Sequence, residues 1–446
     1  MARKVLISFL GTGPSELKNE GHRSMREYRH ADYELEGKVY ENYSFMAAAL
    51  AEHYHVDQIL MIGTVHSMWE ELYRWFHDAK RNNKVEDSEA DWNIYNDISN
   101  SCIAANHESR LEIPHMEEIE RVMGKGSKVI LVKYGIKEEE IKENINLVLG
   151  LKDFLQKGDE LIVDITHSFR SLPIFIMNLL VYLQNVSSIG VRISHIHYGM
   201  LEIGGGKGKE MVNVPIVDLK SMMDVQEWIT GAYNFQEFGN TYKIEKLLRA
   251  YPEKRYEKTA NTLRNFADAK NFNHLNEFRN NTSALMAVRD VKSLPEIGRL
   301  IIPEIIDKFN KLQSNKNNSQ YQLKMAEWHY DRYNYGYAAI NLVESVLDFC
   351  CDLFPTKDRN FIRDVLSDNT RDKSEKEIKV MEDFRENYLK IHLNMRPQKI
   401  NYGDFSTAYN TVNYIRNTIA HNLDRKSVKD MMKGLQDSLK YFKKVL

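Results

Sequence analysis

Along the first half of the chain, short runs of consecutive apolar residues alternate with longer stretches in which apolar side chains recur every three or four positions. The short runs are VLISFL (5–10), QILMIG (58–63), SKVILVKYG (127–135), ELIVDIT (160–166), VRISHIHYGM (191–200) and VPIVDL (214–219). Helical spacing marks Tyr43–His55, Met68–Arg81 and Phe169–Val186 between several of them. Strands that are apolar throughout are buried on both faces, and intervening helices supply the cover. Residues 1–219 are therefore expected to form an α/β, Rossmann-like domain around a parallel-type sheet. Gly204–Lys209 (GGGKGK) lacks the spacing and the Ser/Thr of a phosphate-binding P-loop, and reads as a hairpin tip ahead of the last strand.

After Leu219 the strand pattern stops. Val225–Gly239, Tyr242–Tyr251, Ala338–Phe354, Thr407–Asn422 and Val428–Leu446 all carry the 3.6-residue period, with polar breaks at Ser314–Ser319 and Asn369–Ser374. Residues 220–446 are expected to be all-α, and no internal repeat of 20–50 residues is visible.

Composition then narrows the class. With 446 residues, 43% hydrophobic and 28% charged, the chain is long enough for two or three domains of soluble type. The three cysteines form no C-x-x-C pair, which fits a reducing cytoplasm. The apolar start, Val5–Leu10, is too short for a signal segment. The longest apolar run, Leu172–Leu183, falls short of the roughly 20 residues of a membrane span. Charge is uneven: net -9 over residues 1–219 and +7 over 220–446. A basic half beside an acidic one points towards an anionic polymer at the C-terminal end, or to an ordinary mixed surface.

Two loops stand where open α/β sheets bind ligands, at the carboxyl ends of strands. The first is Gly11-Thr12-Gly13, whose glycines let a backbone approach a phosphate closely. It is not GxGxxG, and no acidic residue stands at the ribose-binding distance, which argues against a dinucleotide. The second is Thr166-His167-Ser168, a hydroxyl-rich strand-to-helix junction that suits an anion, although simple N-capping by Ser168 explains it equally well. His195 with His197, and His53 with His55, lie i, i+2 but lack further ligands at metal spacing, so no metal is expected.

Near the end stands Ile415–Asn422, IRNTIAHN, with Arg416 and His421 five residues apart. On a helix that spacing turns by about 500°, so the side chains leave roughly 140° apart. This excludes HExxH-type metal ligation, which needs i, i+4 on one face. It suits RNA cleavage without metal, in which the 2′-hydroxyl attacks its own phosphate. Arginine offers a permanently charged fork for the phosphorane oxygens, and histidine titrates near neutrality. Asn417 could orient either. The competing reading is structural: an Arg and a His near a helix end complement its dipole.

Taken together, FLGTG after the first strand, GKVYENYSF at 37–45, DITHSFRSLP at 164–173 and RNTIAH resemble the CRISPR-associated CARF–HEPN ribonucleases of type III systems, in the branch with a D-x-T-H-G motif. The resemblance spans nearly the whole chain; Ser168 stands where that family usually has glycine, and its side chain narrows the loop. The resemblance implies a CARF sensor domain at 1–219 that dimerises and binds a cyclic oligoadenylate, with Gly11, Thr12 and Gly13 on one wall and Thr166, His167 and Ser168 on the other. Cyclic tetraadenylate is favoured over cyclic hexaadenylate. It implies a HEPN domain in 220–446, with Arg416 and His421 as catalytic pair. The expectation is a cytoplasmic homodimer, or oligomer of dimers, without cofactor or membrane contact. Its activator would switch on cleavage of single-stranded RNA in antiviral defence. Two alternatives remain: a nucleotide-sensing regulator whose helical half binds nucleic acid or protein without cutting, and a CARF domain that degrades its own activator.

Overall fold

The structure is a computed structural model and describes residues 2–12, 16–20, 23–27, 30–78, 90–167, 172–203, 213–288, 294–310, 317–354, 358–421 and 426–446. The chain divides into two compact units, Met1–Gln226 and Glu227–Leu446.

Among the described residues the first unit holds ten strands: β1 (Lys4–Leu10), β2 (Glu16–Glu20), β3 (Arg23–Glu27), β4 (Ala31–Leu35), β5 (Lys38–Tyr43), β6 (Gln58–Gly63), β7 (Lys128–Leu131), β8 (Glu160–Asp164), β9 (Arg192–Gly199) and β10 (Val214–Asp218). Six described α-helices join them: α1 (Met46–Tyr54), α2 (Trp69–His77), α3 (Trp92–Ala104), α4 (Met116–Met123), α5 (Glu138–Gly150) and α6 (Leu172–Asn185). Eight strands make one sheet in the order β5-β4-β10-β9-β8-β1-β6-β7, and β2 and β3 pair as a separate hairpin. From β9 to β7 all pairings are parallel, whereas β10 runs antiparallel to β9 and β5 antiparallel to β4.

The two-residue period of a strand divides the core into layers. Leu6 and Leu10 pack with Ile59, Met61, Leu50 and Trp69 on one face. Val5, Ile7 and Phe9 pack with Leu60, Ile62, Val163 and the α6 residues Ile176 and Leu179 on the other. Each such side chain contributes roughly 1.5–3 kcal/mol on burial.

Strands β2 to β5 are absent from the sequence reading. ELKNE and RSMRE carry no apolar alternation, and KVYENY buries only Tyr40 well. The helices α3, α4 and α5 also went unread, although Tyr95, Ile98 and Cys102 are buried at helical spacing. The GGGKGK tip lies outside the described residues; its flanks pair antiparallel, Gly199 with Ile216.

The second unit is helical throughout its described residues. Helix α7 (Ser221–Phe238) carries the division between the units, followed by α8 (Tyr242–Arg249), α9 (Glu257–Asn271), α10 (Leu275–Val288) and α11 (Glu296–Asn310). Then come α12 (Asn318–Asp331), α13 (Tyr335–Leu353), α14 (Arg359–Ser367), α15 (Glu375–Phe384), α16 (Lys390–Met395), α17 (Tyr402–His421) and α18 (Val428–Val445). A π-turn, Arg385–Leu389, joins α15 to α16. Helix α13 is buried along most of its length in a cluster with α14, α17 and α18. Among the described residues no helix is long and apolar enough to cross a membrane.

Candidate functional site

The chain leaves β1 on one side through β6 and β7, then returns on the other side of β1 through β8 and β9. That reversal leaves a crevice at the carboxyl ends of β1 and β8, the general ligand position of open α/β sheets. Gly11 and Thr12 follow β1, and Thr166 and His167 follow β8, so strand order brings the two sequence-predicted loops together. Gly13 and Ser168 lie outside the described residues.

The β8 loop is held from below. Asp164 is fully buried, accepting from the Ser8 hydroxyl at 2.6 Å and from the Thr166 amide at 2.9 Å. The Thr166 hydroxyl accepts from the Gly199 amide at 2.9 Å and lies 2.8 Å from Met46 Sδ. Thr166 thus ties the loop to β9 and α1. His167, next along, is half-buried with Nε2 3.5 Å from the Tyr33 hydroxyl. Burial holds its imidazole below the usual histidine range, against the opposing pull of Asp164.

The β1 loop is held from the side by the turn between β6 and α2. The Ser67 hydroxyl donates to the Leu10 carbonyl at 2.6 Å, and the Met68 amide to the Gly11 carbonyl at 3.2 Å. Gly63 permits this approach: a Cβ there would lie 2.7 Å from Trp69 Cζ2 and 3.1 Å from the Leu10 carbonyl oxygen. The same turn is gripped by the hairpin, since Arg26 donates to both Glu70 oxygens, at 2.7 and 2.8 Å, and to the His66 carbonyl at 2.8 Å. Burial pushes the Glu70 carboxyl up to about 7, with Arg26 pulling the other way.

Ser8, Gly63, Ser67, Arg26 and Gly199 were not singled out from sequence. Ser8 alone carried a signal, as a hydroxyl inside an otherwise apolar strand. Three of the four paired histidines are engaged by side chains: His195 with Asp218 at 2.8 Å, His197 with the Tyr54 hydroxyl at 2.8 Å and His53 with the Tyr40 hydroxyl at 2.7 Å. Among the described residues no group of three or more His, Cys, Asp or Glu is placed to hold a metal ion.

In the second unit, α17 buries Phe405, Tyr409, Val412 and Ile415 at helical spacing. Arg416 sits at the edge of that stripe, half-buried, and its Nη1 donates to Asn417 Oδ1 at 2.8 Å. His421 is the last described residue of the helix and is exposed. The helix is unbroken between them, so within one chain the two side chains diverge by roughly 140°. An apolar cavity of about 350 Å³ beside this segment is lined by Tyr333, Ile415, Ile419 and Met432, among others.

Comparison with known proteins adds to this geometry. Residues 5–201 match the family model described as CRISPR system endoribonuclease Csx1, CARF domain, and residues 224–318 the one described as CRISPR-associated protein MJ1674, second domain. CRISPR-associated protein MJ1674 of Methanocaldococcus jannaschii is 32% identical over 367 residues, which is 79% of this chain and 54% of that protein. The chain thus spans about half the length of this curated relative. Among solved structures, Enterococcus italicus Csm6 bound to cyclic hexa-2'-fluoro-hexa-dAMP aligns over 100% of this chain and 94% of its own, with 12% identity and a TM-score of 0.35.

Proposed function

We propose, from the premise that this chain is a CARF-containing CRISPR-associated protein, that it senses a cyclic oligoadenylate in the crevice of its first unit and answers by cleaving single-stranded RNA with its second. Cyclic tetraadenylate is the favoured activator, with cyclic hexaadenylate next. The crevice supplies backbone at Gly11 and Thr12 for close approach to phosphate, and His167 as a polar neighbour for a base or ribose.

The observation that carries the cleavage reading is the placement of Arg416 and His421 on one continuous helix, with His421 exposed. Arg416, oriented by Asn417, would balance the charge that grows on the phosphorane oxygens. His421 would move a proton at the scissile phosphate. The 2′-oxygen forms a bond to phosphorus, the bond to the 5′-oxygen breaks, and the products are a 2′,3′-cyclic phosphate and a 5′-hydroxyl. DNA, lacking the nucleophile, is spared. The divergence of the pair makes each copy half a site, so we place the working centre where two copies bring two arginines and two histidines around one phosphate. Activation is then a rearrangement of that dimer.

A fluorogenic RNA assay in EDTA, with each cyclic oligoadenylate supplied in turn, tests this. Cleavage that needs an activator, and that falls at least about a hundredfold in Arg416→Ala or His421→Ala, is expected. No cleavage with any activator would leave the regulator that binds without cutting. Equal cleavage by a variant carrying both Arg416→Ala and His421→Ala would remove the assigned residues.

A further inference from the structure

Core packing along α17 runs out before the helix does. The buried stripe continues through Val412 and Ile415, but Ile419, four residues on, is 46% exposed. It borders the apolar cavity of about 350 Å³, whose other walls are the turn between α12 and α13 and the start of α18. Val428 and Met432 on the α18 wall are exposed as well, so the cavity is open to solvent. The head of α13 abuts Ile419, since a Cβ at Gly336 would lie 3.7 Å from its Cγ2.

The turn between α12 and α13 holds Tyr333 in a conformation that bulky residues avoid. Its φ is +58°, the left-handed position that usually goes to glycine or asparagine at a helix end. The Tyr333 amide donates to the Tyr330 carbonyl at 3.0 Å and the Asn334 amide to the His329 carbonyl at 2.9 Å, which fixes the turn. No burial compensates, because Tyr333 is 78% exposed. Its ring meets that of Tyr335 edge-on, with centroids 6.4 Å apart, and both residues line the cavity. Backbone strain kept without a gain in packing is a mark of functional positions.

Cations flank the cavity. On an ideal helix Arg416 leaves the axis about 80° to one side of the line through Ile415 and Ile419, and Tyr414 about 120° to the other. Lys426 Nζ stands over the Tyr414 ring, 4.7 Å from its centroid. Neither Arg416 nor Lys426 pairs with a carboxylate among the described residues. The order is cation, apolar cavity with an aromatic lip, cation, and a single nucleic-acid strand offers the complement as phosphate, base, phosphate. A two-fold contact centred on the cavity would instead set unmatched cations against their own copies. The volume lies within the range of small-molecule sites, about 300–1,000 Å³.

Building on the reading of this unit as one that cleaves RNA, we propose that the cavity takes one base of the single-stranded substrate. The base stacks on Tyr333, and its flanking phosphates lie at Arg416 and Lys426. Tyr333 is then a substrate-binding residue that places the strand along α17.

The full chain, with and without cyclic tetraadenylate, is titrated with a 2′-O-methyl oligoribonucleotide carrying 2-aminopurine, which resists cleavage and loses fluorescence when its base stacks. Wild type and Tyr333→Phe should quench it. Tyr333→Asn relieves the backbone, so it should melt no lower than wild type, yet bind about tenfold more weakly and without quenching. Met432→Glu, on the α18 wall, should weaken binding as much. Lys426→Gln should lower the slope of log affinity against log salt by about 0.7. In cleavage, Tyr333→Asn should raise KM about tenfold at unchanged kcat. Stacking without cleavage would uphold this assignment and remove the nuclease reading. No quenching by the wild type, or equal affinity and quenching in Tyr333→Asn, overturns the proposal. So does a Tyr333→Asn chain that sediments as a monomer where the wild type is a dimer, because a second copy then covers the cavity.

Discussion

Two glycines at the crevice differ in what a methyl group would meet. At Gly63 the obstacles are the Trp69 ring at 2.7 Å, Ser67 Oγ at 2.9 Å and the Leu10 carbonyl at 3.1 Å, a rigid ring and a backbone among them. At Gly199 the nearest atom is Met46 Sδ at 2.7 Å, on an adaptable side chain, with Thr166 Cγ2 at 3.3 Å. Gly63→Ala should therefore cost about 1–3 kcal/mol in urea unfolding and Gly199→Ala less than about 1 kcal/mol; the reverse order would show that the turn after β6 yields more readily than the Met46 contact. None of this was legible beforehand, because QILMIG reads as a strand whatever its last residue faces. By contrast, Asp164, Thr166 and His167 stood out as a hydroxyl-rich motif ending an apolar strand. The position of Asp164 explains the pattern: one buried carboxylate holds Ser8 on the neighbouring strand and the amide that starts the loop.

At the scale of elements, the long apolar strands and α6, α13 and α17 were readable because burial on one or both faces leaves a period in the sequence. The hairpin of β2 and β3 left none. Its described anchor is one buried side chain, Arg26, paired with Glu70 and donating to the His66 and Ser67 carbonyls. Removing one partner of such a pair leaves an uncompensated buried charge. Arg26→Met should thus cost about 3–5 kcal/mol at pH 8. At pH 5 the cost should be smaller, because Glu70, raised to about 7, is then protonated and no charge is stranded. Hydrogen exchange in 16–20 and 23–27 should rise with the same pH dependence. A cost independent of pH would mean that Arg26 acts through its carbonyl contacts with His66 and Ser67 instead.

For the whole molecule, two buried groups tie stability to pH with opposite signs. Glu70 titrates near 7 when folded against an ordinary 4.5, so the folded state holds an extra proton between those values. Its contribution is full at low pH and is lost as pH rises through about 7. His329, 1% exposed between the Trp328 and Tyr337 rings, is lowered by burial to about 3 from an ordinary 6.5. Its neutral form contributes above 6.5, and that contribution is lost as pH falls towards 3. Unfolding from pH 5 to 8 should show Glu70→Gln removing a loss of about 2–3 kcal/mol with rising pH. His329→Phe should remove a gain of about 2 kcal/mol over pH 5 to 6.5. Wild-type slopes retained in both variants would show that neither group is desolvated as its burial implies.

Hydrophobic periodicity by itself determined that an α/β half precedes a helical half, because burying a strand or a helix face constrains residue type at every second or every third to fourth position. Local chemistry also marked the two crevice loops and the Arg416–His421 spacing. Which loops become neighbours was decided only by strand order, which sets β1 beside β8 across 156 residues of sequence. Tertiary packing likewise chose Arg26, Gln322 and Asn341 for burial. A polar residue spaced by charge pairing or by a cavity leaves no period in the chain, so only the folded structure reveals it.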